Sequence, residues 1–191
     1  LESVPLYTFF DKVFQLKRNA LNLKDIRNVS SGQYHLKDLL AICRHPLLQN
    51  LSEKLFQLKQ HELNSKLFEF VKSGKVLLGH QEILQHFSSG NGTFMHYLLK
   101  DWRNNAVLAL DGIFSIIEKL RQAISISGKK ETLQVEYLYH FSLIFKRLKS
   151  IQEEYHVLDS VELLQVIFKQ IVRNSSLPFY GEPLKGLQIM G

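Results

Sequence analysis

Between Thr132 and Tyr155 no proline or glycine interrupts a run in which the apolar residues Leu133, Tyr137, Leu138, Phe141, Leu143, Ile144, Phe145, Leu148 and Ile151 recur at helical spacing. That spacing puts an apolar stripe along one face of an α-helix and is incompatible with the alternation of a half-buried strand. A helix of this length needs other helices to cover its stripe. Two neighbours repeat the pattern. Residues 93–126 carry Leu98, Leu99, Trp102, Val107, Leu108, Leu110, Ile113, Phe114, Ile117 and Leu120 through one long helix or two in sequence, until Gly128-Lys129-Lys130 breaks it. Asp159 or Ser160 can cap a further helix through Val161, Leu164, Ile167, Phe168, Ile171 and Val172.

The N-terminal half predicts shorter elements. A first helix starts near Ser3 or Pro5 and buries Leu6, Phe9, Phe10, Val13, Phe14 and Leu16, with Lys17, Arg18 and Lys24 at its basic end. Residues 22–33 lack period and read as a loop. Leu36 to Arg44 forms a short helix that Pro46 ends, Ser52 caps the next, Ser65 restarts it, and Gly74 stops it. Gln81 to Phe87 is another short helix. The run Ser88-Ser89-Gly90-Asn91-Gly92 is the clearest internal loop and a possible subdivision of the domain. With only four prolines and ten glycines in 191 residues, the expected fold is all-α. It is a multi-helix bundle of short N-terminal helices followed by three longer ones, in a domain over residues 1–176. Each Leu, Ile or Phe buried in it contributes roughly 1.5–3 kcal/mol.

Residues 177–191 change in texture. Pro178 and Pro183 push Leu177 and Glu182 towards extended backbone. Leu187 to Met190 then reads as the opening of a buried strand with no partner in the chain. The expectation is an extended tail where a helical insertion returns to the sheet of a larger protein.

Chemistry-bearing patterns are sparse. His-Glu-x-x-His, a paired cysteine, a phosphate loop and a nucleophile elbow are all missing from the sequence. His80 and His86 stand six apart and do not share a helix face, and His61, His140 and His156 sit where surface histidines are usual. Glu153-Glu154, and Asp111 with Glu118, read as surface charge. Trp102 beside Arg103 could stack a base, but a lone tryptophan at helical spacing is more often core. The one cysteine, Cys43, lies in the apolar run Leu39-Leu40-Ala41-Ile42-Cys43 and is expected to be a buried, inert thiol, which suits a reducing cytosol. No apolar stretch is long enough to cross a bilayer. A formal net charge of +6 permits an acidic partner without requiring one. The candidate phosphate contacts are Lys129 and Lys130 in the loop and Lys146, Arg147 and Lys149 on the helix that follows.

The two ends carry a resemblance. Leu1-Glu2-Ser3-Val4-Pro5-Leu6-Tyr7 resembles the segment Pro-Leu-x-x-Thr-Pro-Val/Leu-Tyr-Ser of bacterial AddB-like proteins, helicase-derived nuclease subunits of recombinational DNA repair; Val4 stands where Thr is usual and Thr8 where Ser is. At the other end, the run with Pro178, Phe179, Gly181, Glu182, Pro183, Leu184, Gly186, Leu187, Gln188, Met190 and Gly191 is similar to Ile-Pro-Phe-x-Gly-Glu-Pro-Leu-x-Gly-Leu-Gln-Val/Ile-Met-Gly. That run belongs to Bacteroidetes-type members of the PD-(D/E)XK nuclease family. Tyr137-Leu138-Tyr139 after Glu136 is also similar to that group. The helices between resemble the family in order and spacing.

The resemblance implies the helical 2B-like insertion of a UvrD-like helicase domain, with residues 177–191 leading back into a RecA-like domain outside this chain. Leu187-Gln188-Ile189-Met190-Gly191 would open the strand of helicase motif V, with Gly191 where active helicases have Thr, which implies a degenerate motor. No catalytic, metal or cofactor residue is implied within these residues. Mg2+ for the nuclease, and ATP if any motor activity remains, would be bound elsewhere in the parent protein. Implied partners are DNA, an AddA-like helicase subunit and the remainder of the parent chain, in the bacterial cytoplasm and away from membranes. The alternative is a helical protein-interaction module that never meets DNA.

Overall fold

A computed structural model of the chain describes residues 4–27, 32–87, 93–125 and 132–175. These form an all-α fold with one two-stranded ribbon. Lys129, Lys130, the loop expected at 88–92 and the expected tail, with the run from Pro178 to Gly191, lie outside the described residues.

Helix α1 (Pro5–Arg27) is the axis of the fold. Pro5 sits in its first turn, where a missing N–H costs nothing. Phe9, Phe10, Phe14 and Leu16 are completely buried. Residues 22–27, expected in a loop, belong to this helix: nothing between Lys17 and Arg27 is proline or glycine, so a helix already nucleated gains a hydrogen bond with each added residue. Strand β1 (Gln33–His35) pairs antiparallel with β2 (Leu77–Gly79), Tyr34 opposite Leu78, and both of those side chains point into the core. Three-residue strands carry no readable period, and the sequence offered no sign of them.

Helix α2 (Leu36–Cys43) ends three residues before Pro46, which opens α3 (Pro46–Asn50) in addition to closing α2. In α4 (Ser52–Phe56), Ser52 is buried as the first helical residue, and Leu51 holds the cap position. Helix α5 (Gln60–Lys72) runs through Ser65 without a restart; the break falls earlier, at Gln57, which has a left-handed φ of 57°. Gly74, at φ +66°, closes the turn after α5, as its lack of a Cβ allows. Helix α6 (His80–Phe87) leads to α7 (Phe94–Leu99). Phe56 meets Phe87 at 6.1 Å and Phe94 at 5.7 Å, so side chains from before and after residues 88–92 share one core.

The run 93–126 is two helices. Between α7 and α8 (Ala106–Ser125) the chain turns a corner at Arg103 and Asn104, both with positive φ. Asp101 Oδ1 accepts from the Arg103 amide at 2.9 Å and Asn105 Oδ1 from the Leu108 amide at 3.0 Å, which satisfies donors the corner leaves open. Trp102 plugs the inside of this corner. Helix α9 (Thr132–Tyr155) has the expected bounds, and α10 (Val161–Asn174) is capped by Ser160, whose Oγ accepts from the Leu163 amide. Helices α8, α9 and α10 pack on one another, and α9 and α10 also pack on α1. Phe168 of α10 stacks on Phe145 of α9, with centroids 4.9 Å apart, and meets Phe10 and Phe14 of α1. Among the described residues no helix is long and apolar enough to cross a membrane.

Candidate functional site

Two places on this scaffold combine chemistry with geometry. The first is the outer face of α9. Lys146 and Arg147 project from it into solvent, and neither is in a salt bridge with a described residue. Lys149, one turn on, is different. Its Nζ lies 3.0 Å from Asp111 Oδ1 on α8 and 5.7 Å from the centre of the Phe114 ring. The hydrogen bond and charge of Asp111 raise the Lys149 pKa, with a smaller contribution from Glu153. The exposed cationic pair is therefore Lys146 and Arg147, and Lys149 serves as a strut between α8 and α9.

The same face of α9 presents apolar groups. Val135, Tyr139 and Leu143, spaced four apart on one side of the helix, are 40%, 59% and 41% exposed. Between Val135, Tyr139 and α8 runs a groove of about 500 Å³, with Phe114 and Ile117 on one wall, Leu138 and Tyr139 on the other, and Glu118, Arg121 and Lys146 as its charged lining. Arg121 is held in a two-point contact with Glu118, at 2.9 and 3.0 Å. Lys146 is thus the groove's cation without an ion-pair partner among the described residues. The lysines and arginine were visible in the sequence, and Tyr139 as part of a family-like segment. Their shared face with Val135 and Leu143 follows from the helix period.

The second place is buried. Lys17 is 3% exposed, and its Nζ donates to the Lys100 carbonyl at 2.6 Å. The rings of Trp102 and Tyr34 lie 5.2 and 5.8 Å from that nitrogen. Tyr34 Oη donates to the Leu99 carbonyl at 2.9 Å, so α1 and β1 together supply donors to carbonyls that the end of α7 leaves without helical partners. Burial draws the Lys17 pKa down to about 7, partly opposed by Asp101. Burial also lowers the pKa of His80, helped by the charges of Lys17 and His96 and opposed by Asp101. Burial and the Asp101 charge together raise that of Tyr34.

Lys17, Tyr34, His80, Asp101 and Trp102 border a cavity of about 60 Å³. Sites for drug-sized molecules occupy about 300–1,000 Å³, so this one is a joint within the fold. Sequence reading put Lys17 at the basic end of α1. The available signal was its position three and four residues after Phe14 and Val13, inside the apolar stripe.

Cys43 is completely buried, and burial pushes its thiol up to about 12, the state of an inert packing group. Trp102, at 1% exposure, is closed to any base. Among the described residues no three His, Cys, Asp or Glu side chains gather where they could hold a metal ion. Comparisons of the chain with family models, with curated proteins and with solved structures give no match.

Proposed function

We propose that this chain is the non-catalytic helical 2B-like domain of an AddB-like nuclease protein of double-strand-break repair, and that it guides DNA beside the rest of that protein. The resemblance at the two ends of the sequence supplies the family. The observation that carries the DNA contact is the pair Lys146 and Arg147, exposed side by side on a helix whose third candidate cation, Lys149, is neutralised by Asp111. Cations held out into water without carboxylate partners are free to exchange counterions for phosphates, and such contacts position DNA without reading its sequence. In this reading the nuclease Mg2+ and any ATP are bound by segments outside this chain, and the protein works in the bacterial cytoplasm.

A second reading is carried by the exposed side chains of Val135, Tyr139 and Leu143. An apolar stripe of this kind also suits the docking of a protein such as an AddA-like subunit, without DNA contact. The two readings separate on salt. DNA guidance expects binding of oligonucleotides that falls steeply with ionic strength, and Lys146→Glu with Arg147→Glu should weaken it and flatten the slope of log affinity against log salt by about 1.4–1.8. Salt-insensitive binding, or charge reversal without effect, would sink the DNA reading. Retention of an AddA-like partner by the charge-reversed chain, with no oligonucleotide bound by the native one, would establish the second.

A further inference from the structure

We infer that the α8–α9 groove takes single-stranded rather than duplex nucleic acid, with a base stacked on Tyr139 and a neighbouring phosphate held by Lys146 and Arg147. This rests on the DNA-guiding reading and adds to it the strand form and the group that senses it.

Tyr139 is the starting point. A tyrosine ring carries a large apolar face and a polar tip, so an exposed one that lines a groove offers a surface for stacking. This one is 59% exposed, and its only described ring contact is the edge of His140, 6.0 Å away. It stands on the wall of the groove beside Val135, with Leu143 exposed one turn further along the helix, so an aromatic ring lies within an exposed apolar stripe. Such a strip is a platform for a planar group.

The charges around it select the occupant. Lys146 lies seven residues beyond Tyr139, almost directly above it on the same face and about 10 Å along the axis. Arg147 is beside it. The long side chains of both can cover most of that distance, so an anion attached to a ring on Tyr139 falls within their reach. Charge along α9 has a direction: Glu136 is exposed below Tyr139, Lys146 and Arg147 above it, and Glu153 and Glu154 beyond them. An occupant with an apolar plane at one end and a negative group towards the cations matches this order; an apolar peptide helix would leave the cations unused. Alternating planar bases and phosphates are the chemistry of a nucleic-acid strand, and aromatic stacking beside cations accepts any base. Duplex DNA is the poorer fit, since its bases are already stacked on one another and offer no free face to the ring.

The test is fluorescence anisotropy on the whole chain with a labelled oligo-dT and a duplex of equal length, across a salt series. The expected result is tighter binding of the single strand, weakened about ten-fold by Tyr139→Ala. The same substitution should leave duplex binding and the salt slope unchanged, and Tyr139→Trp should restore the affinity. Lys146→Glu with Arg147→Glu should weaken both strand forms. If that charge reversal acts but Tyr139→Ala does not, or if duplex is preferred, the stacking inference fails while DNA guidance stands. If the native chain binds neither strand form at low salt, both fail and the groove is left to a protein partner. Tyr139 is exposed, so loss of fold would not confuse the result, and unchanged circular dichroism verifies this.

Discussion

Lys17 Nζ donates to the carbonyl oxygen of Lys100 at 2.6 Å, across 83 residues of sequence, from a position where its side chain is almost completely buried. The bond fastens the middle of α1 to the corner between α7 and α8. Burial holds the folded-state pKa of this amine at about 7, against 10.5 when unfolded. Between those values the unfolded chain binds a proton that the folded chain does not, so this residue makes stability rise as pH increases from 7 to 10.5. The effect is roughly 2–5 kcal/mol, the lower figure if the Trp102 and Tyr34 rings retain the ammonium. Urea unfolding of the native chain and of Lys17→Met at pH 6.5 and 9.5 checks it. The native chain should gain stability relative to the variant at the higher pH, and equal changes in both would refute the assignment.

Gly112→Ala should destabilise the protein although alanine is the better helix former. A Cβ at Gly112 would stand 2.3 Å from Trp102 Nε1. The indole fills the inside of the α7–α8 corner at 1% exposure, against Phe14 and the Lys17 amine, so admitting the methyl group means displacing a packed ring. Overpacking of this kind costs about 1–3 kcal/mol, more than the ~1 kcal/mol that glycine gives up in a helix. Trp102 Nε1 has no hydrogen-bond partner among the described residues, so Trp102→Phe loses volume without breaking a bond. The double variant should therefore lose less stability than the two single losses added together. Strict additivity in chemical denaturation would show that the contact is relieved elsewhere.

His45 is expected to stay neutral well below the usual histidine range. Its Nδ1 accepts from the Leu47 amide at 3.2 Å and caps α3, which leaves the proton on Nε2, directed at Thr8 Oγ1 2.9 Å away. That hydroxyl in turn donates to the Pro5 carbonyl. Burial, reinforced by the charge of Lys12, brings the pKa to about 4 from 6.5. The unfolded chain takes up this proton first, so stability from His45 is present above pH 6.5 and is lost as pH falls from there towards 4. An imidazole titration followed by NMR should show His45 unmoved at pH 5.5, and His45→Asn should shallow the acid side of the stability profile. A His45 titrating near 6.5 would contradict the capping role.

The elements that sequence predicted well are those whose physics is local. Helix α9 and the Ser160 cap of α10 are written in neighbouring residues: an unbroken apolar period and a hydroxyl ahead of it. The corner at Trp102 was not legible, because it depends on donors from Lys17 and Tyr34 that arrive from α1 and β1. The same holds for the ribbon, whose pairing of Tyr34 with Leu78 joins distant residues through strands too short to show a period. At the candidate site, Lys146, Arg147 and Lys149 are alike as letters. What distinguishes Lys149 is Asp111, 38 residues earlier on another helix, and no pattern within α9 announces that partner.

Phe168→Ala should be among the most damaging single substitutions in the chain. The ring is completely buried and stands between α1 and α9. It is stacked on Phe145 at 4.9 Å and on Tyr7 at 6.1 Å, with Phe14 tilted at 5.6 Å and Phe141 at 6.1 Å. The four neighbouring rings come from α1 and α9, so the void left in α10 could close only by moving a helix, and close-packed neighbours resist that. Truncation of a buried Phe costs about 3–5 kcal/mol, a large part of the total stability of a domain this size. Phe168→Leu keeps most of the volume and should cost less than half as much. Equilibrium denaturation of the two variants provides the comparison. Similar small losses for both would mean that the cluster collapses around the gap and that α1, α9 and α10 are not joined through this ring.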